Sequence, residues 1–252
     1  MTTQIQGYLR ALATRRQLSE RVGPFLAGYD AHSDLVYRNY AIPDNGAEPT
    51  PDEIQALIAA FERRQRTPRL EYVPVAAPVM EGALLAAGFA IEGHYPLMTV
   101  TPGTARELPE PQGIELLLAT SDEELLGVAT VQNIAYDAPA APTEHDVARL
   151  RSAVEAGGVV ALARDAATGT PVGAGQCTTP IDGVTEVAAI GVVPEYRRRG
   201  VAGAITSLLV RAAFAAGVTA PFLMPAAEDG MRIYMRAGFA RVSEIMMISR
   251  PR

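Results

Sequence analysis

The stretch Val192-Val193-Pro194-Glu195-Tyr196-Arg197-Arg198-Arg199-Gly200-Val201-Ala202-Gly203-Ala204 decides how this chain reads. The apolar run Val184 to Val193 ends at a proline, and the turn after it carries Arg197, Arg198, Arg199 and Gly200. The stripe Ile205, Leu208, Leu209 and Ala212 then recurs at helical spacing, so a strand passes through a turn into a helix. In such a turn successive backbone N–H groups and the positive end of the helix dipole point at one spot, where a diphosphate can be held. Gly200, Ala202 and Gly203 let a ligand approach the backbone. A bare arginine run reads as a solvated helix start; the strand before it and the small residues after it favour the ligand site.

Working outward, Pro221 to Met224 reads as a strand, Asp229 to Ala237 as a helix and Val242 to Ile248 as the last strand. Upstream, Val159 to Ala163, Val172 to Thr178 and Val184 to Val193 form a strand meander with turns at Thr168-Gly169 and Asp182-Gly183. Ser121 with Glu124 is a capping-box signature, and a second helix runs from Thr143 to Gly157. Pro102 through Gly113, rich in proline and without periodicity, reads as a linker. Before it, Ile5, Tyr8, Leu9 and Leu12 predict a helix within the first 20 residues, and Leu35 to Ile42 predicts a strand ending at Pro43. Thr50, Pro51 and Glu53 open a helix with the stripe Ile54, Leu57, Ile58 and Phe61. A strand at Arg69 to Val73, a helix at Val79 to Ala87 and a strand at Tyr95 to Val100 complete this half.

The halves repeat. An offset of 151 residues sets Pro43 on Pro194, and an offset of 150 sets Ala87-Gly88-Phe89-Ala90 on Ala237-Gly238-Phe239-Ala240. The order of strands and helices agrees around both matches. The expectation is an α/β (α+β) protein of two related domains, residues 1–104 and 105–252, each a mixed central sheet flanked by helices.

Composition narrows the function classes. The 252 residues hold 22 basic against 28 acidic side chains, a net charge of −6, which argues against a nucleic-acid binder that works through a broad basic surface. Every basic residue is Arg, so neither Schiff-base chemistry nor a Walker-type lysine is open to this chain. Cys177 is the only cysteine, which excludes an intrachain disulfide and fits a reducing cytoplasm. The first 20 residues are broken by Arg10, Arg15 and Arg16 and lack a signal-peptide core, and no apolar run is long enough to span a membrane. His32, His94 and His145 are too widely separated to suggest a metal site.

With these residues in place, the chain resembles the GNAT acetyltransferase superfamily. The family's acetyl-coenzyme A motif, Arg or Gln followed after two residues by Gly and then by Gly or Ala, stands here as Arg197, Gly200 and Ala202. A second family motif, Tyr-x-x-x-Gly-Phe, stands as Tyr234-Met235-Arg236-Ala237-Gly238-Phe239. The detailed resemblance covers about residues 114 to 250, and a fainter one covers 33 to 101. It implies two GNAT-like domains, the first having lost its chemistry. It implies that acetyl-CoA is bound by Ile190, Gly191, Val192, Val193, Arg197, Arg198, Arg199, Gly200, Val201, Ala202 and Gly203, with an acceptor amine attacking the thioester directly. By the same resemblance the N–H near Val192 polarises the thioester oxygen, Glu186 is the general base, and Tyr234 protonates the departing thiolate. A Glu opening a strand can also be merely solvated, and a helical Tyr can simply pack. The family's frequent Asn seven residues before the Tyr is Ala227 here, with Glu228 and Asp229 as neighbours that could take its place.

Asp137, Glu144 and Asp146 border the acceptor side in the family and form either a solvated acidic loop or a pocket for a cationic amine. Cys177 reads as a buried small apolar residue. The expected partner is a small-molecule or peptide amine, with no metal, nucleic acid or membrane, for a cytoplasmic monomer (a pseudo-dimer of its halves) or homodimer. A tandem enzyme of the mycothiol-synthase type and a non-catalytic acyl-CoA sensor are the alternatives, and turnover separates the sensor from the enzymes.

Overall fold

The computed structural model describes residues 1–14, 18–31, 34–136, 141–225 and 228–251. They group into two compact units, Met1–Leu97 with Arg241–Arg252, and Met98–Ala240.

Unit 1 begins with helix α1, Thr2–Thr14, which buries Ile5, Gln6, Tyr8 and Leu9. Strands β1, Leu18–Val22, and β2, Phe25–Tyr29, form an antiparallel hairpin, and β2 pairs antiparallel with β3, Tyr40–Pro43. The expected strand from Leu35 is shorter than its apolar run, because Val36–Arg38 forms an exposed 3-10 turn. Helix α2, Pro51–Arg63, then leads to β4, Arg69–Tyr72, which runs parallel to β3. Helix α3, Met80–Ala86, and strand β5, Ala90–Thr99, follow. Phe25, Leu57, Phe61 and Tyr72 centre the core of this unit.

Unit 2 opens on β6, Ile114–Leu118, a strand its short apolar run does not announce, then α4, Asp122–Ala135, and α5, Glu144–Glu155. Strands β7, Val159–Asp165, β8, Pro171–Cys177, and β9, Val184–Val192, are antiparallel neighbours, as the meander predicts, with β6 beside β7. Helix α6, Val201–Ala215, strand β10, Ala220–Leu223, and helix α7, Glu228–Arg236, complete the unit. Strand β10 is parallel to β9 on one side and antiparallel to Met98 and Thr99, the end of β5, on the other. Helix α6 lies close on the sheet because β8 is bare beneath it: a Cβ on Gly173 would come within 2.7 Å of Val201 Cγ1. Packing of that helix on β8 and β9 fixes its first turn beside the end of β9.

The last strand, β11, Ala240–Ser249, pairs antiparallel with β4, Met246 opposite Tyr72 and Ser249 opposite Arg69. A cut at residues 104 and 105 would leave the end of the chain with the second half; the contacts group it with the first. The two strands related by the 150-residue offset have therefore changed places, each completing the sheet beside the other copy's preceding strand.

Candidate active site

A bulge creates the opening at the centre of unit 2. Between Ala174↔Gly191 and Gln176↔Ala188, β8 advances two residues while β9 advances three, and Ala189 takes φ +53°, rare for a residue with a Cβ. On its other edge β9 pairs with β10 only from Val184 to Glu186, opposite Ala220 to Phe222. Among the described residues nothing pairs with that edge from Val187 to Val192. Val193 donates its N–H to the Val172 carbonyl (3.0 Å), so the alternation of the strand turns the N–H and C=O of Val192 toward the open edge. The Val192 carbonyl accepts from Arg197 Nε at 3.0 Å, and the Ile190 carbonyl accepts from the Tyr136 hydroxyl at 3.2 Å.

The chain leaves β9 through a 3-10 turn, Pro194–Tyr196, with Arg198 at φ +61°, and enters α6 from Gly200 at φ +89°. That left-handed conformation is why Gly stands at 200: a Cβ there would have room, the nearest atom being Pro111 Cγ at 3.8 Å, but the backbone would be strained. No side chain caps α6 and no acid lies in its first turn, so the N–H groups of Val201, Ala202 and Gly203 have no intrahelical acceptor. They face a cavity of about 560 Å³.

Of the residues expected to hold the cofactor, Ile190, Gly191, Val192, Arg197, Arg198, Gly200, Val201, Ala202 and Gly203 line this cavity. Val193 instead packs in the core, and Arg199 stacks over the Tyr196 ring at 4.7 Å. Tyr196 itself donates to Asp165 at 2.7 Å, a bond that holds the Asp165 carboxyl below the usual range. The cavity wall also includes Tyr136, Ile233, Arg236, Leu108 and Pro109, which the sequence reading did not assign. Arg236 stood inside the Tyr-x-x-x-Gly-Phe motif and was findable there; Tyr136, at the end of α4, gave no signal. Among the described lining residues are three arginines and no carboxylate, which suits a ligand bearing phosphate.

The two candidate proton carriers lie outside that lining. Glu186 is the last residue of β9 paired with β10, half-buried where the strands part, and its backbone is fixed by Thr178, whose hydroxyl accepts the Glu186 N–H at 3.0 Å. Tyr234 packs edge-on against Phe239, ring centres 6.1 Å apart. Burial, with Tyr136 nearby, pushes its phenol up to about 12, so Tyr234 keeps its proton at neutral pH.

Asp146 is engaged at the start of α5, accepting the Thr143 N–H at 2.9 Å, and that bond lowers its carboxyl below the usual range. His94 bonds Glu244 at 2.9 Å in unit 1. Cys177 is buried, which pushes its thiol up to about 12. Among the described residues no three His, Cys, Asp or Glu side chains gather as a metal site requires. Asp137, Ala227, His32 and the side chains of Glu228 and Asp229 lie outside the described residues.

The matching place in unit 1 is built differently. Gln6 of α1, fully buried, donates to the Pro43 carbonyl at the end of β3 (3.2 Å) and accepts the Val73 N–H just past β4 (2.9 Å). One carboxamide thus bridges the two strand ends. In unit 2 Gln132 of α4 reaches β9, at the Ala189 carbonyl (3.4 Å). Helix α2 caps itself: Glu53 accepts the Thr50 N–H at 2.8 Å, and Asp52 and Glu53 occupy its first turn.

A parallel strand pair that parts at a bulge, beside an uncapped Arg- and Gly-bearing helix start, is an α/β arrangement whose chemistry suits a phosphate-bearing ligand. Residues 128–239 match the model of the Acetyltransferase (GNAT) family, a family of acyltransferases. The chain's structure is similar to a GCN5-related N-acetyltransferase from Kribbella flavida, with 25% identity and a TM-score of 0.83 over 100% of this chain and 96% of that one. It is also similar to a GCN5-related N-acetyltransferase from Sphaerobacter thermophilus, at 17% identity and a TM-score of 0.69 over 90% and 78% of the two chains. A tandem GNAT protein from the clavulanic acid biosynthesis pathway shares the fold at 12% identity and a TM-score of 0.68 over 98% and 88%. No curated protein matches the sequence significantly. No described helix is long and apolar enough to cross a membrane.

Proposed function

We propose that unit 2 binds acetyl-CoA and passes its acetyl group to a primary amine by direct attack in a ternary complex, and that unit 1 is a copy of the same domain without the chemistry. The observation that carries this reading is the open edge of β9 beside the uncapped start of α6, in a cavity with three arginines and no described carboxylate. Bound acetyl-CoA supplies an activated acyl group and a thiolate leaving group. The N–H groups of Val201, Ala202 and Gly203, with Arg197 and Arg198, hold the diphosphate. The strand edge from Ile190 to Val192 takes the pantetheine amides as a further strand would, and the Val192 N–H faces the thioester oxygen. Glu186, at the fork of the strands, takes the proton that the acceptor ammonium must lose, through water, since it does not line the cavity itself. Tyr234 holds the proton returned to the thiolate, and its raised pKa keeps that proton available at neutral pH.

The single cysteine fits a reducing cytoplasm, and in this reading a monomer or homodimer acts there on small-molecule or peptide amines. Thiol release from acetyl-CoA by the intact chain, across a panel of primary amines, tests the reading. Acetyl-CoA binding without amine-dependent release would make the chain a sensor, and no binding at all would remove the cosubstrate assignment.

A further inference from the structure

The stretch from Pro102 to Gly113, which reads by composition as a linker, does not hang free of the site. The Arg106 N–H donates to the Ala237 carbonyl just past α7 (3.0 Å). The Leu108 N–H donates to the Ser207 hydroxyl of α6 (3.0 Å), and that hydroxyl donates back to the Arg106 carbonyl (3.3 Å). Glu107 pairs with Arg211, also of α6, at 2.6 Å. The segment is therefore strapped from the end of α7 to the outer side of α6.

Two glycines make room for it, one directly after the first family motif and one within the second. A Cβ on Gly203 would meet Leu108 Cδ1 at 2.7 Å and stand 3.7 Å from Ile233 Cγ2. A Cβ on Gly238, at φ +96°, would overlap the Thr104 carbonyl oxygen. Gly203 reads in the sequence as a place where the ligand approaches the backbone; in the structure the side chain of Leu108 fills the space its missing Cβ leaves. Leu108 is half-buried against the core of unit 2, and with Pro109 it forms part of the cavity wall beside the α6 N–H groups.

We propose that this strap is a built part of the coenzyme site and that Leu108 is a coenzyme-binding residue, an apolar wall against the neutral chain next to the diphosphate. The proposal rests on the acetyl-CoA reading of the cavity. Leu108 and Pro109 carry no charge and no side-chain hydrogen-bond donor, so they suit the uncharged part of the ligand while the arginines and the helix start take its phosphates.

Calorimetric titration of the intact chain with coenzyme A tests this. Leu108→Ala should weaken binding roughly tenfold, the scale of one lost apolar contact, and raise KM for acetyl-CoA while leaving kcat within about twofold. Gly203→Ala should also weaken binding, by pushing aside the flexible end of Leu108, and should cost far less in a Leu108→Ala background, because the two changes act on one contact. Ser207→Ala, which removes a half-buried anchor, should speed trypsin cleavage after Arg106, and bound coenzyme A should slow that cleavage in the parent more than in Leu108→Ala. Unchanged affinity in both Leu108→Ala and Ser207→Ala, or cleavage after Arg106 indifferent to coenzyme A, would overturn the strap while leaving the acetyl-CoA reading intact. A parent chain that binds no coenzyme A would overturn both.

Discussion

Helices α2 and α6 each follow an apolar strand and a proline, at matched positions in the two halves, and they treat their first N–H groups in opposite ways. In α2 the groups are consumed within the chain: Glu53 accepts the Thr50 N–H at 2.8 Å and two acids crowd the first turn. In α6 an unbranched, left-handed glycine stands at the cap, no acid follows, and three arginines share the cavity with the N–H groups. The strands behind the helices differ in the same sense. A buried carboxamide clasps β3 to the end of β4, whereas an extra residue at Ala189 holds β9 away from β10. The first copy satisfies these polar groups within the chain; in the second the N–H groups that open α6 have no intrahelical acceptor and face the cavity. Unpaired polar groups cost stability, and that contrast between the copies is what the proposed cosubstrate site in unit 2 rests on.

The largest effect should come from making α6 resemble α2. Ala202→Asp places an acid where α2 carries Asp52, and it should lower acetyl-CoA affinity at least about a hundredfold while the melting temperature holds, since a carboxylate suits a helix start. Gly200→Val should have a comparable effect through backbone strain at φ +89°. Calorimetry on folded protein checks both, and unchanged affinity would detach the phosphate role from this turn. Titration of the parent sharpens the comparison, because close to one coenzyme per chain is expected; a value near two would mean that unit 1 also binds.

Next in size are the proton carriers. Glu186→Gln should slow turnover on the order of a hundredfold at pH 6 and less at pH 9, where a larger share of the amine is already deprotonated. Tyr234→Phe should lower kcat about tenfold or more with coenzyme affinity unchanged. Burial pushes the Tyr234 phenol up to about 12 in the folded chain, so the stability this shift lends is full below the ordinary value of 10.0 and is lost as pH rises toward 12. Denaturation midpoints measured across that range should fall more steeply in the parent than in Tyr234→Phe. If both variants turn over like the parent from pH 6 to 9, the protons are moved by other groups.

The smallest effect on activity should come from the clasp. Gln6→Ala leaves the Pro43 carbonyl and the Val73 N–H buried without their partner and should cost about 1–3 kcal/mol of stability, read by denaturant unfolding, without changing coenzyme affinity. A variant that gains a second coenzyme would show instead that the clasp alone keeps unit 1 from binding.

What could be read in advance follows from range. Thr50 with Glu53 and Ser121 with Glu124 act across three residues, and both capping boxes form as the sequence predicts. The β7-β8-β9 meander and the Arg- and Gly-bearing turn are equally local. Strand β1 was missed because Leu18, Ser19 and Glu20 are exposed or half-exposed at a sheet edge, where no apolar alternation is required. The place of β11 was missed because periodicity fixes that a strand forms, not which neighbour it joins.

Most of the helices and strands, the repeat and the residue types of the Arg- and Gly-bearing turn are legible in the sequence, since each depends on neighbours within a few residues or on residue type alone. The left-handed bulge at Ala189, the closure of β3 and β4 by Gln6 from 37 and 67 residues away, and the filling of the space beside Gly203 by Leu108 emerge only once the chain is folded. Those outcomes belong to packing between distant segments, where a buried donor or a missing Cβ acquires its meaning from whatever the fold brings against it.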